Sequence, residues 1–565
     1  MLLEVLTMKE FLKAADKFNP ENVFRDVVEI SKFHRIQGSR DIVKATEYVA
    51  SRLEELGIDY KFLNDIYDGK SYHLTLPSPI GWEIVEGSLK FKEKELTTSN
   101  SPLLVMAHSP SGEAKGEVIP IFREEDWEKA DGKIVLVGED WREAYRKANE
   151  HGAKAFIAYR KGTGDAFPYI GLFLTKKDLE WAKIPALTVP ESVANELIEK
   201  SKKGGVEVEV SVKTEIKDRE TLPLLYAKIG EPPYLLFSAH ICHPKPGAND
   251  NASGSAMLIE LARILKGNEG RIGFAFLWIP EYHGTQAFIP KVNLNEIYAN
   301  INLDMVGGSE DRSNSTIMLV RTPLSRFSLV PGVLELFLKE VNAEGKSFSG
   351  SPLPSVKFKE YPYEMGSDHD IFNFYSIPGV MPITWPDRYY HTSADTPEKL
   401  SLRTLSIIGR AVVATGLFIA KAEKEEVERV ARGFAMKYLG ELSMQRKIEV
   451  AESLVMNGLS RDSGFLGLNV GHELESNGWV KWKEKGIISI KGLEYKNESI
   501  ARRLKEIVEE DRMINVHLHE YLMLSELLDN EKAMKALKDE YGEVKEEKIM
   551  RGVELLEEAK IIEPM

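Results

Sequence analysis

The sequence has almost no cysteine and almost no glutamine. Cys242 is the only cysteine, so no intrachain disulfide can form. That fits a reducing compartment. Glutamine occurs only at Gln37, Gln286 and Gln445. Scarce thermolabile side chains beside abundant Lys and Glu are the pattern of a hyperthermophile's protein. No run of about 18 uncharged apolar residues occurs, so no membrane-spanning helix is expected. The N-terminal stretch "MLLEVLTMKEFLKAADKF" carries charges within its short apolar part and lacks the basic start and cleavage site of a signal peptide. These absences lead to an expected cytoplasmic location with no membrane partner. Positive charge is also in deficit: 74 Lys and Arg stand against 88 Asp and Glu, a net charge of −14. That balance argues against nucleic acid as a partner.

What remains is an ordinary globular composition, 43% apolar and 29% charged over 565 residues. At about 150 residues per domain, roughly three or four domains are expected. Residues 20–60 carry helical periodicity in "ENVFRDVVEISKF" and "SRDIVKATEYVASRLEELG". The second has a Ser-Arg-Asp start and stops at Gly57. "IDYKFLNDIY" follows as a strand. Residues 71–215 alternate short strands and helices, as in "GKIVLV", "ANEHGAKAFIAY" and "IPALTVP", and contain no catalytic cluster. Strands and helices alternate again from 216 to 425, the signature of an open, largely parallel sheet. Residues 426–565 are mainly helical and highly charged, with a hairpin expected in "SNGWVKWKEKGIISIKGLEY". That region reads either as winged-helix-like or as a packing and oligomerisation domain.

The chemistry concentrates in the 216–425 segment. Apolar strands lead to His240 in "PPYLLFSAH", to Glu281 in "RIGFAFLWIPE" and to Asp304 in "NEIYANINLD", and His391 follows "VMPITWPDRYY". Ligands in open α/β sheets bind at the carboxyl ends of the strands, so these four distant residues can converge there. Asp250 adds a fifth from the loop "HICHPKPGANDNASG". Two His and two Asp are side chains that zinc takes, and a carboxylate left off the metal can serve as a general base. Each residue alone reads more simply as a cap or a satisfied core group. Together, unpaired at strand ends, they are too costly to bury.

The motifs "GANDNASG", "PEYHG", "NLDMVGG", "GSDHDIF" and "YHTSADTPEKL" resemble the zinc aminopeptidase family, which includes aminopeptidase Y-like, glutamate carboxypeptidase-like and glutaminyl cyclase-like proteins. Residues 71–215 resemble the protease-associated domain inserted in some of its members. The resemblance implies a zinc-exopeptidase-like α/β fold: a mixed, mostly parallel sheet flanked by helices. Residues 1–70 and 216–425 would form the catalytic domain, 71–215 the insertion, and 426–565 a separate helical domain. It implies one or two zinc ions, with cobalt as the alternative. Asp250 would bridge the metals, His240 and Asp304 would complete one site, and His391 would belong to the other. Glu281 would be the general base for attack of an activated water on the first peptide bond of short peptides. Ser367, Asp368 and His369 would line the substrate pocket, and a homo-oligomer is compatible with the family.

The chain departs from this pattern twice. Where the family has His-x-Asp, with the Asp orienting the imidazole, it has His240-Ile241-Cys242, and a thiol is a weak hydrogen-bonding group. Where the family has two adjacent glutamates, the second a ligand, it has Glu281-Tyr282. Cys242 and Tyr282 are therefore placed next to the ligands rather than among them. One carboxylate is missing, and His243 and His283 are candidates to replace it, although a loop or supporting role is the plainer reading of either. The loop "HICHP" with a single glutamate also resembles a branch of aminopeptidase-like proteins with a C-terminal winged-helix domain.

Three rival readings follow. A cysteine hydrolase built on Cys242 and His243 is disfavoured, because neighbours on an extended segment point to opposite sides. A same-fold hydrolase or cyclase acting on a non-peptide amide is one alternative. A non-catalytic binding protein is another, against which the retention of Glu281 argues.

Overall fold

The computed structural model describes residues 2–353 and 355–565. Its centre is an eight-stranded sheet. Four consecutive strands in it run parallel: Gly273–Ile279, Tyr234–His240, Ile297–Asn302 and Gly379–Trp385. Tyr60–Phe62 and Leu225–Ile229 extend one edge in antiparallel fashion. Thr316–Val320, antiparallel to Gly379–Trp385, and then Phe358–Tyr361 extend the other. Two of the central strands are fully buried along their length. That explains their continuous apolar sequences, since a parallel strand covered by helices on both faces has no solvent side.

The flanking helices follow the expected signals. Helix Arg40–Glu55 starts at Ser39, whose hydroxyl accepts the Ile42 N–H. Its end passes into Gly57, at φ +64, a left-handed conformation that costs glycine nothing. Helix Leu402–Lys421 is long and apolar enough by composition to cross a membrane. It is a core helix here, with 78% of its apolar window buried.

Residues 81–217 build a second sheet of seven strands, in the order Ala186–Thr188, Ala155–Ala158, Ile134–Val137, Gly112–Ile121, Glu207–Lys217, Gly81–Phe91 and Lys94–Thr97. Its hydrophobic cluster is separate from that of the main sheet and draws almost wholly on residues 80–212. The helices after 426 instead share the main cluster: Leu454, Leu504, Leu518 and Leu556 pack in the same core as Phe237 and Leu334.

Two local expectations fail. The hairpin expected between 476 and 495 is absent. Val480–Trp482 pairs antiparallel with Ile562–Pro564 instead. Ile490–Lys496 is a helix, because Ser489 caps it by accepting the Gly492 N–H. "IDYKFLNDIY" is not one strand but two, Tyr60–Phe62 and Asp65–Tyr67, which join different sheets. Asn64 turns the chain between them, its side chain accepting the Leu224 N–H at 3.0 Å.

Candidate metal centre

The four parallel strands deliver their polar residues to one place. His240 ends its strand, Glu281 and Asp304 each lie two residues beyond theirs, and His391 lies six residues beyond Trp385. Asp250 stands in the loop before helix Gly254–Leu265. Its Oδ1 is 3.3 Å from His240 Nε2, and its Oδ2 is 3.1 Å from His391 Nε2 and 3.2 Å from His243 Nε2. Asp304 Oδ1 is 3.3 Å from His240 Nε2. The donor atoms therefore fall into two compact groups, His240–Glu281–Asp304 and His243–Asp250–His391. Asp250 faces both, one oxygen to each side.

The protonation states follow from the outer ring nitrogens. His243 Nδ1 lies 3.0 Å from the Pro244 carbonyl, and His240 Nδ1 lies 3.0 Å from the Cys242 carbonyl. A carbonyl only accepts, so each Nδ1 carries a proton and each ring turns its Nε2 inward. His243 Nε2 is buried with no hydrogen-bond partner among the described residues. A lone pair facing a carboxylate oxygen at 3.2 Å is repulsive unless a proton or a metal ion lies between them. That orphaned nitrogen and the carboxylates around it are the donor set a divalent metal requires.

The electrostatics agree. Burial, followed by the carboxylates of Asp304, Asp368 and Asp250, pushes the Glu281 carboxyl well above its ordinary range, against the opposing pull of His240. Burial lowers the His240 pKa, but Asp304, Glu281 and Asp250 override it and hold it well above the imidazole value. Buried anions crowded together recruit protons. Bound cations would supply the same charge.

The loops around the site are fixed by named contacts. Asp395 accepts the Asn249 N–H at 2.8 Å and the Asp250 N–H at 3.0 Å, which aims the Asp250 side chain. Asn251 straddles Asp304: its Nδ2 donates to the Leu303 carbonyl and its Oδ1 accepts the Met305 N–H. Gly247 has φ +51, and a Cβ there would sit 2.5 Å from both His243 Nδ1 and the Asp250 carbonyl oxygen. The tight "KPGAND" turn therefore needs glycine.

The two sequence departures resolve as follows. The carbonyl of Cys242 orients His240 at 3.0 Å, with the thiol at 3.8 Å from the same Nδ1. The thiol also accepts the Glu281 N–H at 3.1 Å, and burial raises its pKa, so it is no thiolate nucleophile. Tyr282 is turned away from the ligands. Its hydroxyl donates to Asp370 Oδ2 at 2.7 Å, and its N–H donates to Asp368 Oδ1 at 2.8 Å. His243, one of the two candidates the sequence offered for the missing ligand, stands beside Asp250 and His391. Its signal was the extra histidine in "HICHP". His283 pairs with His73, Nδ1 to Nδ1 at 3.1 Å, outside both ligand groups.

Ser367, Asp368 and His369 do not line an open pocket; each is fully buried, at 0% exposure. Ser367 Oγ accepts from Asn302 and His369 Nε2 bonds the Glu364 carbonyl. Asp368 holds the Glu281–Tyr282 turn. They pack behind the site and support it.

The site opens into a cavity of 1710 Å³. Cys242, His243, Glu281 and His391 line its floor. Tyr169 to Leu174 and the helix from Trp141 form one wall, and residues 490–515 form another. The walls are tied together: Arg146 pairs with Glu494 at 2.9 Å, and the Tyr495 hydroxyl bonds Thr175 at 2.6 Å and Asp178 at 3.0 Å. The segment around Tyr169 also braces the His391 loop, with the Tyr169 N–H donating to the His391 carbonyl at 2.7 Å. The Tyr169 ring lies 5.2 Å from His243 and 5.1 Å from His391.

A parallel sheet with paired metal-ligand groups at its carboxyl ends defines the zinc-exopeptidase-like class of α/β proteins. Within it, residues 225–416 match the model of peptidase family M28, in line with the resemblance read from the motifs. A stretch of 188 residues, 32% of the chain, is 28% identical to aminopeptidase YwaD of Bacillus subtilis and covers 39% of that protein. The chain thus spans about two fifths of the length of that curated relative. The structure of BSAP, a zinc aminopeptidase from Bacillus subtilis, superposes with a TM-score of 0.53 at 20% identity over 72% of this chain and 96% of that one. A peptidase M28 precursor from Shewanella amazonensis does so with a TM-score of 0.55 at 15% identity, over 74% and 98%. A candidate peptidase from Clostridium acetobutylicum covers 99% of both chains with a TM-score of 0.53 at 12% identity. At these identities the likeness is one of fold.

Proposed function

We propose that the protein is a metal-dependent aminopeptidase that removes the N-terminal residue of short peptides. One observation carries the reading: Asp250 presents its two oxygens to two separate groups of ligand-type side chains, with Glu281 beside them. Such an arrangement suits a co-catalytic pair of ions about 3.5–4 Å apart. His240 and Asp304 would hold one ion and His243 and His391 the other, with Asp250 shared. Zinc bound there would supply Lewis acidity toward water and the scissile carbonyl.

The protein's own groups do the rest. Glu281 would take a proton from the attacking water as its oxygen bonds to the carbonyl carbon. It would return that proton to the amine nitrogen as the C–N bond breaks. The walled cavity favours short, flexible chains over folded proteins.

Metal analysis combined with a substrate screen tests the reading. Zinc- or cobalt-loaded protein should hydrolyse aminoacyl amides and short peptides with a free α-amino group and leave their N-acetylated forms intact. Hydrolysis of N-acetylated amides alone would favour the non-peptide hydrolase. No turnover with metal bound would favour a binding protein.

A further inference from the structure

The cavity holds a cation that the proposed chemistry does not use. Arg142, in the first turn of helix Trp141–Glu150, lines the same cavity as His243, Glu281 and His391. Its Nε donates to the Gly171 carbonyl at 3.2 Å, and its guanidinium lies 5.3 Å from the centre of the Phe173 ring. Neither Nη atom has a hydrogen-bond partner, and no carboxylate lies within ion-pair distance, among the described residues. Two neighbouring cations are spoken for. Arg146 pairs with Glu150 and Glu494, and Lys491 donates to Asp178 at 2.6 Å and to the Phe173 carbonyl at 2.8 Å.

Arg142 is solvent-exposed on the wall of the cavity. Desolvation lowers its pKa, and only the Tyr169 phenol pulls the other way. Its guanidinium has two N–H faces with no protein partner among the described residues. It is preorganised for a planar anion bound by two parallel hydrogen bonds. The same Tyr169 flanks the rings of His243 and His391. The free cation therefore sits one aromatic side chain away from the proposed metals.

We propose that Arg142 binds a carboxylate on the leaving side of the substrate, so that the enzyme prefers di- and tripeptides over longer chains. The inference rests on the peptidase reading above. The carboxylate could come from the peptide's C-terminus or from an acidic side chain just after the scissile bond; the geometry favours the C-terminus, since the walls confine chain length.

Steady-state kinetics of the full-length metal-loaded protein test this with Leu-Ala-Ala, its C-terminal amide, and Leu-Asp-Ala amide. Arg142→Gln should raise KM for the free acid about tenfold or more, as expected for loss of a charged hydrogen bond. It should leave kcat for the acid and both constants for the plain amide near wild type. Arg142→Lys should fall between. A loss confined to the Asp-containing amide would assign the site to an acidic side chain instead and overturn the C-terminal reading. Equal effects on acid and amide, or none on either, would overturn the anion site altogether. If the wild type hydrolyses none of these, the peptidase reading fails separately. Calorimetric titration of the same acid and amide then decides the anion site: it stands if the wild type binds the acid more tightly and Arg142→Gln does not, and falls otherwise.

Discussion

His243 Nε2 lies 3.2 Å from Asp250 Oδ2 and joins Asp250 and His391 in one group of ligand-type side chains, a group that has no second glutamate. The exchange of a carboxylate for an imidazole removes one negative charge from the second ligand group but keeps the number of donors. His243→Ala should therefore bind one equivalent of zinc fewer than wild type after exhaustive dialysis. Asp250→Ala, which removes the shared carboxylate, should lose both. Elemental analysis gives the count. Undiminished metal in His243→Ala would return that residue to the loop role first expected of it.

Tyr282 gives the complementary test. On sequence alone its position is the vacant ligand site, and a glutamate there should recruit a second ion. The structure turns its hydroxyl to Asp370, which also accepts from Tyr363 at 3.0 Å and from the Gly366 N–H at 2.9 Å. Tyr282→Glu should therefore add no metal and should destabilise the protein by placing two carboxylates together. Tyr282→Phe, which only removes the donor, should cost about 1–3 kcal/mol, read by thermal unfolding. A gain of metal in Tyr282→Glu would show that the turn can swing its side chain to the ions.

Much of this was legible in the sequence, and the misses have physical causes. His240, Glu281 and Asp304 announced themselves because each terminates an apolar strand, and parallel strands must end on the same side of the sheet. Asp250 was marked by a dense polar loop before an amphipathic helix. His243 was only one of two candidates with His283, because sequence distance from His240 says nothing about which way a loop turns back; the Gly247 turn decides that. Asp395 and Asn251 were hidden for a similar reason, since they act through backbone N–H groups of other segments. For Ser367, Asp368 and His369 the resemblance implied a pocket lining, whereas the structure buries them. Their partners include Asn302 at a strand end and Tyr282 and Thr285 at a short helix, which no local pattern reveals. The C-terminal region carried no motif at all, and its place on the cavity wall comes only from packing.

Glu281 stands close enough to His240 and Asp304 to be grouped with them as a ligand, and its role as base can be separated from that. Glu281→Gln keeps the shape and removes the proton acceptor. It should retain wild-type metal and lose activity by about 10²–10⁴-fold, the usual contribution of general acid–base catalysis. If the variant loses metal in proportion to activity, Glu281 is a ligand and the base must be another group.

Arg35 makes the least obvious demand on the site. It is fully buried, at 0% exposure, and it pairs with no carboxylate among the described residues. Its guanidinium serves five carbonyls: Ile241 at 2.7 Å, Ile30 at 2.8 Å, Gly247 at 3.0 Å, Phe33 at 3.1 Å and Pro246 at 3.2 Å. Its own carbonyl accepts the His243 N–H at 2.9 Å. One side chain thus pins the loop that carries His240, His243 and Asp250 to the end of helix Pro20–Ile30. Burial pulls its pKa down to about 10, so it remains charged through the neutral range. Lysine has three donors on a single atom and cannot span carbonyls on both sides of the loop. Arg35→Lys should therefore weaken metal binding by about 10–100-fold, the usual penalty for losing an outer support of a metal site. Competition with a chelator, at a temperature where circular dichroism shows the variant folded, measures it. Wild-type affinity for both ions in Arg35→Lys would mean that the Gly247 turn and the Asp395 contacts hold the loop unaided.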